Sequence, residues 1–97
     1  MRYDRLVIKT FAEKDTARLF NRERVRQFHS IEKAARKALV QLHHATSLRD
    51  LAAIPGNRLE KLPEHAGKYS VRINDQFRIL FEWRTPDAYD VEITDYH

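Results

Sequence analysis

A chain of 97 residues can build one domain around one modest core and no more. A third of it is charged, the formal balance is +4 and the pI is near 9.6, so a polyanion or an acidic protein is the natural partner. The absence of cysteine excludes a disulfide framework and a thiolate metal site; with no signal-peptide pattern in "MRYDRLVIKTF" and no apolar run of membrane-spanning length, the expectation is a soluble protein of the reducing cytoplasm without membrane contact.

In chain order, "RLVIKTF" reads as a short strand and "EKDTARLFNRERV" as a helix capped by Asp15 or Thr16. From Ser30, a natural N-cap, Ile31, Ala34, Ala35, Ala38, Leu39 and Leu42 recur at helical spacing, with Lys33, Lys37 and Gln41 turned outward; this is the best helix in the chain. "SLRD" at positions 47–50 resembles a capping box with Asp in place of Glu, opening a short helical turn that "PGN" at 55–57 ends. The remainder of the chain is β: "RLEKL", "KYSVRI", "FRILFEW" and "AYDVEITDYH" form a meander turned at "PEHAG", "NDQ" and "RTPD". The expected class is α+β, with two N-terminal helices packed on one face of a small antiparallel sheet and the other face left to solvent or a ligand.

The stretch "YSVRINDQFRILF" fixes a register. A two-residue turn would set Arg72 opposite Phe77 and put an arginine in the core, whereas a three-residue loop of Asn74, Asp75 and Gln76 pairs Val71 with Ile79 and Arg72 with Arg78. The second register is the consistent one. It sets two like charges across from each other, which asks for an anion. Ser70, Arg72, Arg78, Asp90, Glu92, Thr94 and Tyr96 then alternate to the uncovered face, Arg78 lies across from Glu92 or Thr94, and Glu60 joins Arg72 if Leu59 points to the core. On such an open face Arg78 is expected to be dispensable for folding. The plain alternatives are that these charges form surface pairs worth little, that Tyr96 only packs, that His43 and His44 serve the helix dipole and not a metal, and that Arg22, Arg24 and Arg26 are a solvated face.

"PGNRLEKL", "GKYSVRINDQFRILFEW" and "DAYDVEITDYH" strongly resemble the HigB-like branch of the RelE/ParE toxin superfamily of bacterial toxin–antitoxin modules. The resemblance implies a RelE-like, microbial ribonuclease-type fold and cleavage of messenger RNA in the ribosomal A site, with no metal and no cofactor. It further implies a HigA-like helix-turn-helix antitoxin through which the complex binds operator DNA. Carried over by position, Arg78 in "FRILF" and Asp95, Tyr96 and His97 in "DYH" match the family's motifs, while Glu60 in "RLEKL" stands where many relatives have the histidine of "RLHPL". The implied catalytic set is Arg78, His97, Tyr96 and Glu60; Arg72, Asp95 and Lys61, with Lys33 and Lys37 on the helix, are the implied RNA contacts. The paired arginines suit phosphate because guanidinium stays charged and grips two oxygens, and His97 suits proton transfer near neutral pH. The rival reading is a ParE-like inhibitor of DNA gyrase that cuts nothing; a third is an inert adaptor for an acidic partner.

Overall fold

A carboxylate placed just ahead of a helix can satisfy N–H groups that have no partner within it, and this is how the first helix begins. The cap is Glu13, not Asp15 or Thr16: its side chain accepts from the Asp15 and Thr16 N–H groups at 3.0 and 2.8 Å. Thr16 is instead fully buried, and its hydroxyl accepts from the Ile93 N–H at 3.0 Å while donating back to Glu13. The computed structural model describes residues 7–95, so Tyr96 and His97 lie outside the described residues. Within it, α1 spans Lys14–Phe20 and α2 spans Glu32–His43, with a 3-10 turn at Arg26–Ile31 leading into α2; α3 spans Leu48–Ala53. An antiparallel sheet completes the chain in the order β1 (Glu60–Lys61), β2 (Lys68–Arg72), β3 (Phe77–Arg84), β4 (Asp87–Asp95).

Three expectations about the helices fail. α1 stops at Phe20 because Arg22 adopts a left-handed conformation, φ 68°, and its N–H bonds the Leu19 carbonyl while the Glu23 N–H bonds the Arg18 carbonyl. That pairing is a Schellman ending with arginine where glycine is usual. Ser30 does not cap α2, since it sits inside the 3-10 turn and Ile31 takes the cap position without a side-chain bond. Ala34, expected on the apolar stripe, is exposed, whereas Ala35, Ala38, Leu39 and Leu42 are buried.

One buried cluster joins Leu19, Phe28, Leu39, Leu42 and Leu51 from the helical half to Val71, Ile79, Phe81, Trp83, Val91 and Ile93 from the sheet. Val7 and Ile8 enter the same cluster along the edge of β4, where Ile8 bridges Ala88 and Phe11 bridges Val91 in parallel. Among the described residues, these contacts are isolated bridges and not a regular strand. The Asp90 N–H bonds the Thr10 side chain at 2.8 Å, and Asp90 itself is left-handed, φ 53°, at a bulge where the register of β3 and β4 slips between Leu80 and Glu82. The bulge ends the strict alternation expected for β4: Ala88 is buried on the near side of it and Val91 on the far side.

The capping box is present in altered form. Ser47 Oγ accepts the Asp50 N–H at 3.1 Å, as a box requires, but the Asp50 carboxylate reaches back past Ser47 to the N–H and hydroxyl of Thr46. Those two bonds, the hydroxyl's first, hold the Asp50 carboxyl below its ordinary value. A lowered folded-state value contributes stability that is present above the unfolded-chain value and is lost as pH falls through the folded one. Asp50→Asn should therefore melt below the parent at neutral pH, and the gap should close in acid below the usual carboxylate range; parallel thermal melts across that range check this.

Candidate active site

Strand alternation decides which polar side chains can meet, and the 69–81 hairpin has the register that the sequence demands. Val71 pairs with Ile79 and Arg72 with Arg78. The loop is closed by Asn74, whose Oδ1 accepts the Gln76 and Phe77 N–H groups at 2.8 and 2.7 Å. Glu60 pairs with Ser70, Thr94 with Arg78, and Glu92 with Leu80. One face thus carries a row of Glu60, Ser70, Leu80 and Glu92 beside a row of Arg72, Arg78 and Thr94.

That face is not open at its centre, contrary to expectation. Ser70 is 0% and Arg78 7% exposed. The arginine lies back across β2: Nε donates to Ser70 Oγ at 2.8 Å, and Nη2 donates to the Arg58 carbonyl at 2.6 Å and to the Ser70 carbonyl at 3.4 Å. Glu60 Oε1 stands 3.8 Å from Nη2, a charge partner beyond hydrogen-bond length. Alternation says which face a side chain leaves from; it does not say that a long one will fold down over a small neighbour. Ser70 is that small neighbour, and its hydroxyl helps make the burial of a guanidinium tolerable.

The second anchor comes from a segment whose sequence announces only a helix stop. Buried Asn57 donates through Nδ2 to the Leu51 carbonyl of α3 at 3.3 Å, and its own carbonyl accepts the Arg72 N–H at 2.6 Å. Arg58 comes next in the left-handed region, φ 45°, with its carbonyl on Arg78. A buried asparagine just after "PG" is the available signal, because such a side chain must be hydrogen-bonded. The charges that face each other are each met: Arg72 Nη2 donates to Asp75 Oδ1 inside the loop, and Arg78 has Glu60. Beside Leu80, on the Arg78 face, Leu62, Pro63, Glu64 and His65 line a shallow hollow of about 350 Å³.

Among the described residues, the other expected site residues, Lys61, Asp95, Lys33 and Lys37, do not gather here. Lys61 pairs with Tyr69 and so alternates away from Glu60. Asp95 stands opposite Phe77 and accepts from Gln76 Nε2 at 3.0 Å, which ties the strand end to the hairpin loop on the other face. Lys33 and Lys37 are exposed on α2, where with Arg24, His29, Glu32 and Arg36 they line a separate cleft of about 830 Å³. Among the described residues, no three His, Cys, Asp or Glu side chains come together to hold a metal ion, and no helix is long and apolar enough to cross a membrane.

The family model for HigB-like toxins, described as the RelE-like toxin of the type II toxin-antitoxin system HigB, matches residues 9–97. The chain belongs to the HigB-like toxin family. The curated toxin HigB-1 of Vibrio cholerae serotype O1 (strain ATCC 39315 / El Tor Inaba N16961) is 42% identical over 55 residues, which are 56% of this chain and 58% of that toxin. The matched stretch thus spans little more than half the length of that relative. Among the described residues, the helices and four-stranded antiparallel sheet agree with the RelE-like class. The match lies with HigB and lends no support to the gyrase-inhibitor reading.

In this HigB-like toxin Arg78, a candidate site residue, is bound into the fold. Arg78→Ala should lower stability by about 1–3 kcal/mol, because it leaves Ser70 and the Arg58 carbonyl without their donor in a buried place. Arg72→Ala, which removes only a loop ion pair to a solvent-exposed Asp75, should cost no more than about 0.5 kcal/mol. Denaturant midpoints of the two variants against the parent check the difference.

Proposed function

We propose that this HigB-like toxin is a ribosome-dependent endoribonuclease that cuts messenger RNA in the A site and so stops translation and growth in the cytoplasm. The observation that carries the reading is a guanidinium, Arg78, held in place by Ser70 and the Arg58 carbonyl, with a second arginine opposite and the Glu60 carboxylate 3.8 Å away. Cleavage needs a base for the 2′-hydroxyl proton, cations for the charge on the pentacoordinate phosphorus, and an acid for the leaving 5′-oxygen. Arg78 and Arg72 take the middle task. The 2′-oxygen attacks phosphorus as its proton leaves to the base, the bond to the 5′-oxygen breaks, and the acid protonates that oxygen, leaving a 2′,3′-cyclic phosphate. No metal or cofactor enters these steps.

His97 is assigned to proton transfer and Tyr96 to stacking on an unpaired base, by position in the "DYH" motif. Glu60, which is more than half exposed, is the carboxylate able to serve as base in place of the histidine that many relatives carry at this position. Lys33 and Lys37 on α2 and Lys61 at the sheet edge would meet ribosomal RNA, and the antitoxin would be HigA-like, carrying the complex to operator DNA. The basic balance of the chain suits both RNA and an acidic partner.

In a translating extract with 5′-end mapping, the purified protein should cut messages within codons held in the A site and cut naked RNA poorly. Association with ribosomes should weaken steeply with salt. Equal cleavage of free RNA at the same positions would contradict the ribosome's role, and intact messages together with blocked DNA supercoiling would overturn the ribonuclease reading.

The chain end can be separated from Glu60 by single-turnover cleavage on programmed ribosomes across pH. Removing His97 should cost on the order of 10²–10⁴ in rate, with little change in melting temperature. Normal cutting by that deletion alongside a dead Glu60→Gln would assign proton transfer to the carboxylate instead.

A further inference from the structure

Two features of the Arg78 face have no part in the proton transfers of cleavage. Ser70 is fully buried on β2, yet it is a polar residue between Tyr69 and Val71, and its hydroxyl is spent on Arg78 Nε at 2.8 Å. The Arg58 carbonyl takes Nη2 of the same guanidinium at 2.6 Å from a left-handed residue. Two bonds from different nitrogens of one planar group fix both its position and the direction of its plane. A lysine at position 78 could not use either geometry, because a guanidinium fork is rigid and an ammonium is a point charge.

We infer that Ser70 is a positioning residue of the site: its hydroxyl, acting with the Arg58 carbonyl, sets the plane of the Arg78 guanidinium against the scissile phosphate. The inference rests on the ribonuclease reading. Ser70 touches no substrate in this role and acts only through Arg78. The physical reason is preorganisation, since a cation already held where charge develops has nothing to reorganise in the transition state. Alanine at position 70 would remove the hydroxyl's bond to Nε while the Arg58 and Ser70 carbonyls still hold Nη2, so the plane would swing about the Nη2 end. Glycine or a large residue would disturb the strand or lift the arginine, which makes alanine the cleaner change.

The test is a double-mutant cycle on programmed ribosomes. Ser70→Ala should lower the single-turnover rate roughly ten- to hundredfold with little effect on the ribosome concentration for half-maximal rate. In an Arg78→Lys background, which has no Nε–H to orient, the same change should cost less than about twofold. An equal loss in both backgrounds means a merely structural role and overturns the inference, as does an undiminished rate in Ser70→Ala. Ser70→Thr, which keeps the hydroxyl, should recover most of the rate; a Thr variant as slow as Ala also counts against it.

A second measurement does not need catalysis. In the ¹⁵N-labelled protein the Arg78 Nε–H should exchange slowly with water, and Ser70→Ala should speed that exchange while other core amides stay protected. Unchanged exchange would overturn the anchoring itself. Should the parent fail to cut messages while the exchange behaves as described, the ribonuclease reading falls and the anchor stands.

Discussion

A positive charge cannot sit in a sheet unless its donors are matched, and the matching of Arg78 organises the whole second half of the chain. Desolvating a guanidinium without partners would cost several kcal/mol, roughly the net stability of a small domain. The fold meets this demand with parts drawn from three places. β2 supplies Ser70, the segment after α3 supplies the Arg58 carbonyl, and the short strand β1 supplies Glu60. The left-handed turn at Arg58 and the buried Asn57 that roots it on Leu51 make sense as devices for delivering one carbonyl. Without the arginine the left-handed Arg58 would lose the bond its carbonyl makes to Nη2, leaving Asn57 held only by Leu51 and the Arg72 N–H.

The hairpin register shows how far a sequence can be read. Placing Arg72 opposite Arg78 requires only period-two alternation and the rule that no arginine goes in the core, and both the pairing and the loop obey it. The same argument sets Glu92 or Thr94 across from Arg78, and Glu60 on the arginine side if Leu59 points inward; the structure pairs Arg78 with Thr94 and Glu60 with Ser70. What alternation cannot tell is depth. A long, flexible side chain can stand up into water or lie down, and the choice here depends on a serine one diagonal away and on a backbone carbonyl distant in sequence. Backbone irregularities are hidden for a related reason: Arg22, Arg58 and Asp90 all adopt left-handed conformations that only glycine announces by composition. The bulge at Asp90 also breaks a phase that simple alternation carries unchanged along β4. At the start of α1, cap preferences favour Asp15 or Thr16 over Glu13, because a longer carboxylate is a less usual cap, yet it reaches both N–H groups.

The charges divide into two territories with different physics. Around Arg78 they are few, fixed and mostly matched, so their field is short-ranged and specific. Along α2 and the segment before it, Arg24, Lys33 and Lys37 are exposed around a cleft whose lining carboxylate, Glu32, is itself bonded to Arg36 at 2.6 Å. Such a surface is screened by salt and selects by sign more than by shape. Under the proposed function that surface would serve attraction to the ribosome, leaving chemical selection to the sheet.

Glu60 is where these two kinds of electrostatics meet. An imidazole in its place would be largely neutral at physiological pH, whereas a carboxylate carries a full negative charge. In the resting protein that charge stands 3.8 Å from Arg78 and offsets the field that a phosphate would feel. Because the Glu60 side chain is more than half exposed and lies beyond hydrogen-bond length from Nη2, the attraction between the two is weak and the carboxylate is free to turn outward. Under the proposed function, a substrate phosphate arriving at Arg78 and Arg72 would therefore compete with a loosely held anion, not a locked one. Once displaced from the arginine, the carboxylate would stand beside the nucleotide whose proton is to be taken. On this view, glutamate costs the site some resting affinity for phosphate and makes a base available only when the phosphate is already in place.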